Sequence, residues 1–140
     1  LENQLKFMAY HDSLTSLPNR RSFYEDFPVT ISSVSSAFPN VGLLYIDGDN
    51  FKAINDKYGH DVGDQFLTYF AEKLQISFQY KYNVYRIGGD EFVIIIDQIA
   101  DYVNGRSETV EEIVHAIQEH LRKGWLIDEF YFFISMFLLN

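Results

Sequence analysis

The sequence predicts an α+β domain of the ferredoxin-like kind, a β-α-β-β-α-β core whose central antiparallel sheet is flanked by helices. Two observations predict it. From Val41 onward, strand-like apolar runs and helical periodicities alternate in that order. In addition, 140 residues, 47% of them hydrophobic and 17% aromatic, suffice for one domain with an ordinary core.

The elements follow in order. In "LENQLKFM", Leu1, Leu5 and Met8 recur at helical spacing, so residues 1–11 are expected to be the end of a helix arriving from upstream. "HDSLTSLPNRRSFYEDFP" carries turn residues around Pro18-Asn19, then a short amphipathic helix from about Arg20 that is expected to stop before Pro28. "VTISSVSSAFPN" is too weakly patterned to assign. "VGLLYI" (41–46) is an apolar run of strand length that ends at Asp47, and its continuous apolarity suggests a central strand. "NFKAINDKYG" reads as a short helix with Asn50 as N-cap and Gly59 as its stop.

A stronger helix follows in "DVGDQFLTYFAEKLQISF": Val62, Phe66, Phe70 and Leu74 repeat every four residues beside Leu67 and Ala71, and Asp61 is placed to cap it. "NVYRI" and "EFVIII" are strand-like and meet at Gly88-Gly89, a pair suited to a tight hairpin because glycine accepts positive φ. Another helix is expected from a cap at Ser107 through Val110, Ile113, Val114, Ile117 and Leu121 to Gly124. A final strand is expected from about Phe130.

Charge and composition exclude several functions. A formal charge of −9 argues against a partner such as nucleic acid, whose phosphates call for a cationic face. With no cysteine, neither a disulfide frame nor a thiolate zinc site can form. The longest apolar run, "FYFFISMFLL", falls well short of the roughly 20 residues that span a bilayer, so no membrane contact is expected of this segment.

The acids carry the functional signal. Asp47 leaves the first strand, while Asp90 and Glu91 follow the hairpin turn, so the topology brings all three toward one edge of the sheet. Clustered carboxylates repel one another unless a cation joins them, and hard ions such as Mg²⁺ prefer oxygen ligands. Any one of these acids alone could equally be a solvated turn residue. A calcium loop at Asp47-Gly48-Asp49 is rejected, because Phe51 and Lys52 stand where that motif needs an acid or amide and a glycine.

"GGDEF" at 88–92, preceded by Arg86, resembles the signature of the GGDEF domain family, the diguanylate cyclases of bacterial signalling. "DSLTSLPNR" (12–20) is similar to the family's opening motif D-x-L-T-x-L-x-N-R. "DGDNFKAINDKYGHDVGD" (47–64) is similar to its D-x-D-x-F-K-x-x-N-D-x-x-G-H-x-x-G-D block. The resemblance implies a fold like nucleotide cyclase and polymerase palm domains, and the condensation of two GTP to cyclic di-GMP and pyrophosphate.

It also implies roles. Asp47, Asp90 and Glu91, with the Gly48 carbonyl, would hold Mg²⁺, two ions per GTP site, with Mn²⁺ as a substitute. Asp90, Glu91 and Lys52 would be catalytic, Asp90 as a candidate general base and Lys52 opposite the phosphates. Asn55 and Asp64 would read guanine, with His60 and Phe51 beside them, and Gly88 and Gly89 would let the phosphates approach the backbone. Catalysis would need a homodimer, regulated by an upstream sensor domain, in the cytoplasm.

Two departures from the family pattern stand out. "QYKY" (79–82) replaces the R-x-x-D of the product-inhibition site, so feedback there is expected to be absent. Near the end, Ser135 matches the family's serine but Phe137 takes the place of a glycine. The domain, residues 12–140, is therefore expected to lack its C-terminal helix and strand. An alternative reading is a weakly active or inactive GTP-binding module that regulates an attached cyclic di-GMP phosphodiesterase.

Overall fold

A computed structural model describes residues 2–33, 40–47, 51–77, 82–99, 115, 119, 125–127, 130–132 and 135–139. The elements are α1 (Glu2–Tyr10), α2 (Arg20–Ser32), β1 (Asn40–Asp47), α3 (Phe51–Tyr58), α4 (His60–Ser77), β2 (Asn83–Arg86), β3 (Glu91–Ile99), β4 (Trp125–Ile127), β5 (Phe130–Phe132) and β6 (Ser135–Leu139). The main sheet has the order β2-β3-β1-β6, and every neighbouring pair is antiparallel. That is the predicted ferredoxin-like arrangement, with β1 and β3 at its centre.

The core explains why the runs fold this way. On β1 and β3, Leu44, Ile46, Phe92, Ile94 and Ile96 are fully buried and alternate along their strands, as a period of two requires. They join Ile54 of α3 and Phe66, Leu67, Phe70, Ala71 and Leu74 of α4 in one cluster, which Leu17 and Val84 complete. The Phe70 ring meets Phe92 edge-on at 4.8 Å and stacks on Phe66 at 6.0 Å. Val93 and Ile95, also buried, occupy the alternate positions of β3, so this strand is covered on both faces, as its unbroken apolar run implies. Tyr85, opposite Val93 in register, is fully buried and meets Phe23 of α2 edge-on at 5.5 Å.

Several expectations need correction. Helix α2 does not stop before Pro28 but runs through it to Ser32. Proline removes one N–H and crowds the preceding turn, yet the last turn is held by hydroxyls. Thr30 Oγ1 donates to the Asp26 carbonyl at 3.0 Å, Ser32 Oγ to that of Pro28 at 2.9 Å, and Ser33 Oγ to that of Thr30 at 2.8 Å. Helix α4 begins at His60, so Asp61 lies in its first turn rather than at its cap, where it still faces the positive end of the dipole.

The single final strand is instead two: β5 pairs with β4 in a separate two-stranded sheet, and β6 joins the main sheet beside β1. The proposed cap Asn50 lies outside the described residues, as does most of the helix expected at 107–124, of which His115 and Glu119 are described and helical.

Candidate functional site

The site gathers where β1 ends, β3 begins, and the β2–β3 connection turns. In the antiparallel register Asp47 is the Cα partner of Glu91 on one side and of Ser135 on the other. Asp90 precedes Glu91 in the turn, and both side chains are half-buried. Sheet pairing thus brings together at one edge the acids that the sequence singled out. Gly48 lies outside the described residues, and among the described residues no group of three or more His, Cys, Asp or Glu side chains is assembled.

The connecting turn differs from the expected tight hairpin. Four residues, 87–90, link the strands, and neither Gly88 nor Gly89 has positive φ. The Ile87 N–H donates to the Glu91 carbonyl at 2.9 Å, and the Gly88 N–H reaches the same oxygen at 3.4 Å. Gly88 is needed for space rather than for its dihedral freedom: a Cβ there would stand 2.6 Å from Glu91 Oε2 and 3.2 Å from its Cδ. Gly89 has open space around it.

A residue not assigned a role from the sequence fixes this turn. Arg86 donates from Nε to the carbonyls of Gly88 and Gly89, both at 3.2 Å, and from Nη2 to that of Gly89 at 2.8 Å. Its Nη1 binds both carboxylate oxygens of Asp12, at 3.0 and 2.9 Å. Asp12 also accepts from the Thr15 N–H and hydroxyl, each at 2.8 Å. Burial alone would raise the Asp12 pKa, but these hydrogen bonds and the guanidinium outweigh it and hold the carboxyl below its ordinary 3.8.

The "DSLTSLPNR" segment is therefore a buttress. Its loop closes through Asp12 N–H to the Leu17 carbonyl at 2.7 Å, with Ser16 in the left-handed region at φ 62°. The Pro18 carbonyl then accepts from the Arg86 N–H at 3.0 Å. Asn19 caps α2 by accepting from Ser22 N–H at 3.1 Å and donates from Nδ2 to the Ala9 carbonyl at 2.9 Å, tying α1 to the same corner. A D-x-x-T local turn was legible in these letters. The long-range partner was not.

Helices α3 and α4 supply the second group. They are joined by Gly59 alone, whose φ of +90° turns the chain sharply and suits only glycine without strain. Lys52, in the first turn of α3, is exposed, as are His60 and Asp64 at the start of α4, whereas Phe51 is half-buried, packed on the core and stacked against Phe66 at 6.2 Å. Asn55 is half-buried, and its Oδ1 is buried with no hydrogen-bond partner among the described residues. Tyr82, in the place of the inhibitory site's aspartate, packs partly buried against the core.

A family model described as "Diguanylate cyclase, GGDEF domain" matches residues 9–136. Among curated proteins, the chain is 35% identical over 114 residues to diguanylate cyclase DgcP of Escherichia coli (strain K12), covering 81% of this chain and 32% of that protein. It is also 35% identical over 120 residues to a diguanylate cyclase of Vibrio cholerae serotype O1, covering 86% and 37%. A solved sensory box/GGDEF family protein from Caulobacter crescentus CB15 superposes with a TM-score of 0.74 at 30% identity, over 92% of this chain and 80% of that one. The chain thus spans about a third of the length of these curated relatives. Among the described residues no helix is long and apolar enough to cross a membrane.

Proposed function

The chain belongs to the GGDEF domain family, and on that premise we propose that it condenses two GTP to cyclic di-GMP in the cytoplasm, releasing pyrophosphate. The observation that carries the proposal is the register of the sheet edge, which pairs Asp47 with Glu91 next to the turn that holds Asp90. Such a set of hard oxygen donors fits a divalent cation.

Asp47, Asp90, Glu91 and the Gly48 carbonyl would hold Mg²⁺, two ions for each GTP, or Mn²⁺ in its place. Metal of this kind, when bound, lowers the pKa of a ribose hydroxyl and offsets charge at the α-phosphate. Asp90 accepts the proton from the 3′-hydroxyl as its oxygen bonds to the α-phosphorus of the other GTP, and the bond to pyrophosphate breaks. Lys52, exposed in the first turn of α3, offsets the phosphate charge. Gly88 and Gly89 keep side chains away from the phosphates. Asp64 accepts from guanine N1–H and its exocyclic amine, Asn55 pairs with the remaining edge, and His60 and Phe51 border them. Adenine offers no such donors and would leave Asp64 unpaired, a cost of about 1–3 kcal/mol or more.

Each subunit presents one GTP, so the reaction needs a two-fold dimer. Helix α1 buries none of its residues and exposes Leu5, Phe7 and Met8, which supports a role in setting that dimer under an upstream sensor. Pyrophosphate release, measured over a range of protein concentrations with GTP or ATP and Mg²⁺, tests the proposal. Release from GTP alone, with specific activity rising as dimer forms, is expected. A folded dimer that binds GTP without releasing pyrophosphate would replace this reading with a regulatory GTP-binding module.

A further inference from the structure

Gly63 lies buried in the first turns of α4, where glycine costs a helix about 1 kcal/mol relative to alanine. Neither its φ nor a neighbouring backbone accounts for it. Its φ is not positive, and the three atoms nearest a Cβ placed there all belong to one side chain: Asn55 Oδ1 at 1.8 Å, Cγ at 2.9 Å and Nδ2 at 3.6 Å. A glycine required for close helix packing would meet backbone. This one meets an amide. The same Oδ1 is the one buried side-chain polar atom without a hydrogen-bond partner among the described residues.

A buried amide oxygen left without a partner costs the fold rather than supporting it, since its burial goes uncompensated. Its position is instead fixed by shape. The floor of the slot is the missing Cβ of Gly63, and its walls are set by the α3–α4 corner. That corner turns at Gly59, whose N–H donates to the Asn55 carbonyl at 2.9 Å and whose carbonyl accepts from the Gly63 N–H at 3.1 Å. Asp64 follows Gly63 directly, so one turn of helix sets both the amide and the carboxylate.

We infer that Gly63 is a specificity-determining positioning residue: the space left by its absent side chain holds the Asn55 amide where it meets the guanine base. The inference rests on the reading of Asn55 and Asp64 as the guanine site. An alanine at 63 displaces only the end of a side chain, so the fold tolerates it, while Asn55 must leave its slot. The loss therefore falls on base recognition and not on stability.

The test is calorimetric titration of GTP and ATP, with Mg²⁺, into the wild-type chain, Gly63→Ala, Asn55→Ala and the double variant, alongside thermal unfolding of each. Gly63→Ala is expected to keep or raise the melting temperature, to weaken GTP binding about tenfold, as loss of a hydrogen-bonded contact does, and to erode the preference for GTP over ATP. In the Asn55→Ala background it should cost nothing further, because it acts through that amide. Unchanged GTP affinity in Gly63→Ala, an equal loss for both nucleotides, or additive losses in the double variant would each overturn the inference while leaving the guanine site standing. A folded wild-type chain that does not prefer GTP would overturn the reading beneath it, and the inference with it.

Discussion

Replacing Asp12 by alanine should loosen the signature turn from 74 residues away, and the structure sets the size of the effect. The carboxylate binds Arg86 Nη1 through both oxygens and takes two further hydrogen bonds from Thr15. The two side chains are 14% and 19% exposed, which places the pair between surface and interior. Exposed ion pairs contribute about 0–1 kcal/mol, and removing one partner of a fully buried pair costs about 3–5 kcal/mol. A loss of about 2–3 kcal/mol is expected, which for a domain of this size lowers the melting temperature by about 6–12 °C.

Thermal unfolding followed by circular dichroism, in a cycle with Arg86→Met, isolates the pair, and a coupling of about 1.5 kcal/mol or more is predicted. The sign with pH follows from the depressed Asp12 pKa. The contribution is present above the ordinary carboxylate value and is lost as pH falls through the lower folded value, so the gap between wild type and Asp12→Ala should narrow below about pH 4. A melting temperature within 2 °C of wild type at neutral pH, or a coupling under about 0.5 kcal/mol, would refute the reasoning.

Three further outcomes are expected. Gly88→Ala should displace the Glu91 carboxylate, while Gly89→Ala, with open space around it, should leave Glu91 where it is; crystal structures of the two variants showing Glu91 equally displaced in both would contradict this. Tyr85→Phe removes a 2.7 Å hydrogen bond to Asp26 and should cost about 1–2 kcal/mol in denaturant unfolding. Burial foremost, then the Asp26 carboxylate, raises the Tyr85 pKa above its ordinary 10.0, so its contribution holds below pH 10 and fades above it; phenolate absorbance from this residue appearing at or below pH 10 would count against the burial. Finally, added cyclic di-GMP should bind no tighter after Tyr82→Ala than before, since "QYKY" offers neither arginine nor aspartate; tight binding mapped to that surface would overturn this.

How much was legible in the sequence depended on range. The Phe66-Phe70-Leu74 stripe announced its face through local periodicity, the unbroken apolar run of β1 announced a central strand without telling its faces apart, and strand order followed from topology, so the meeting of Asp47 with Glu91 could be expected in advance. The Asp12–Arg86 pair could not, because nothing local marks a partner 74 positions distant. Gly88-Gly89 misled for a different reason: the pair matches a tight turn in composition, whereas the structure uses Gly88 for the space beside Glu91. Pro28 misled because the helix continues past it into a last turn held by side-chain hydroxyls, which donate to the carbonyls of Asp26 and Pro28. The slot between Gly63 and Asn55 spans a glycine corner, where helical periodicity no longer relates the two positions.

The most direct test is product identity. The chain, concentrated enough to dimerise, is incubated with GTP and Mg²⁺ and the mixture analysed by mass spectrometry, beside Asp90→Ala. The account predicts cyclic di-GMP from the wild-type chain and none from the variant. A folded wild-type dimer that binds GTP and yields no cyclic di-GMP, or a variant that yields as much as the wild type, would contradict it.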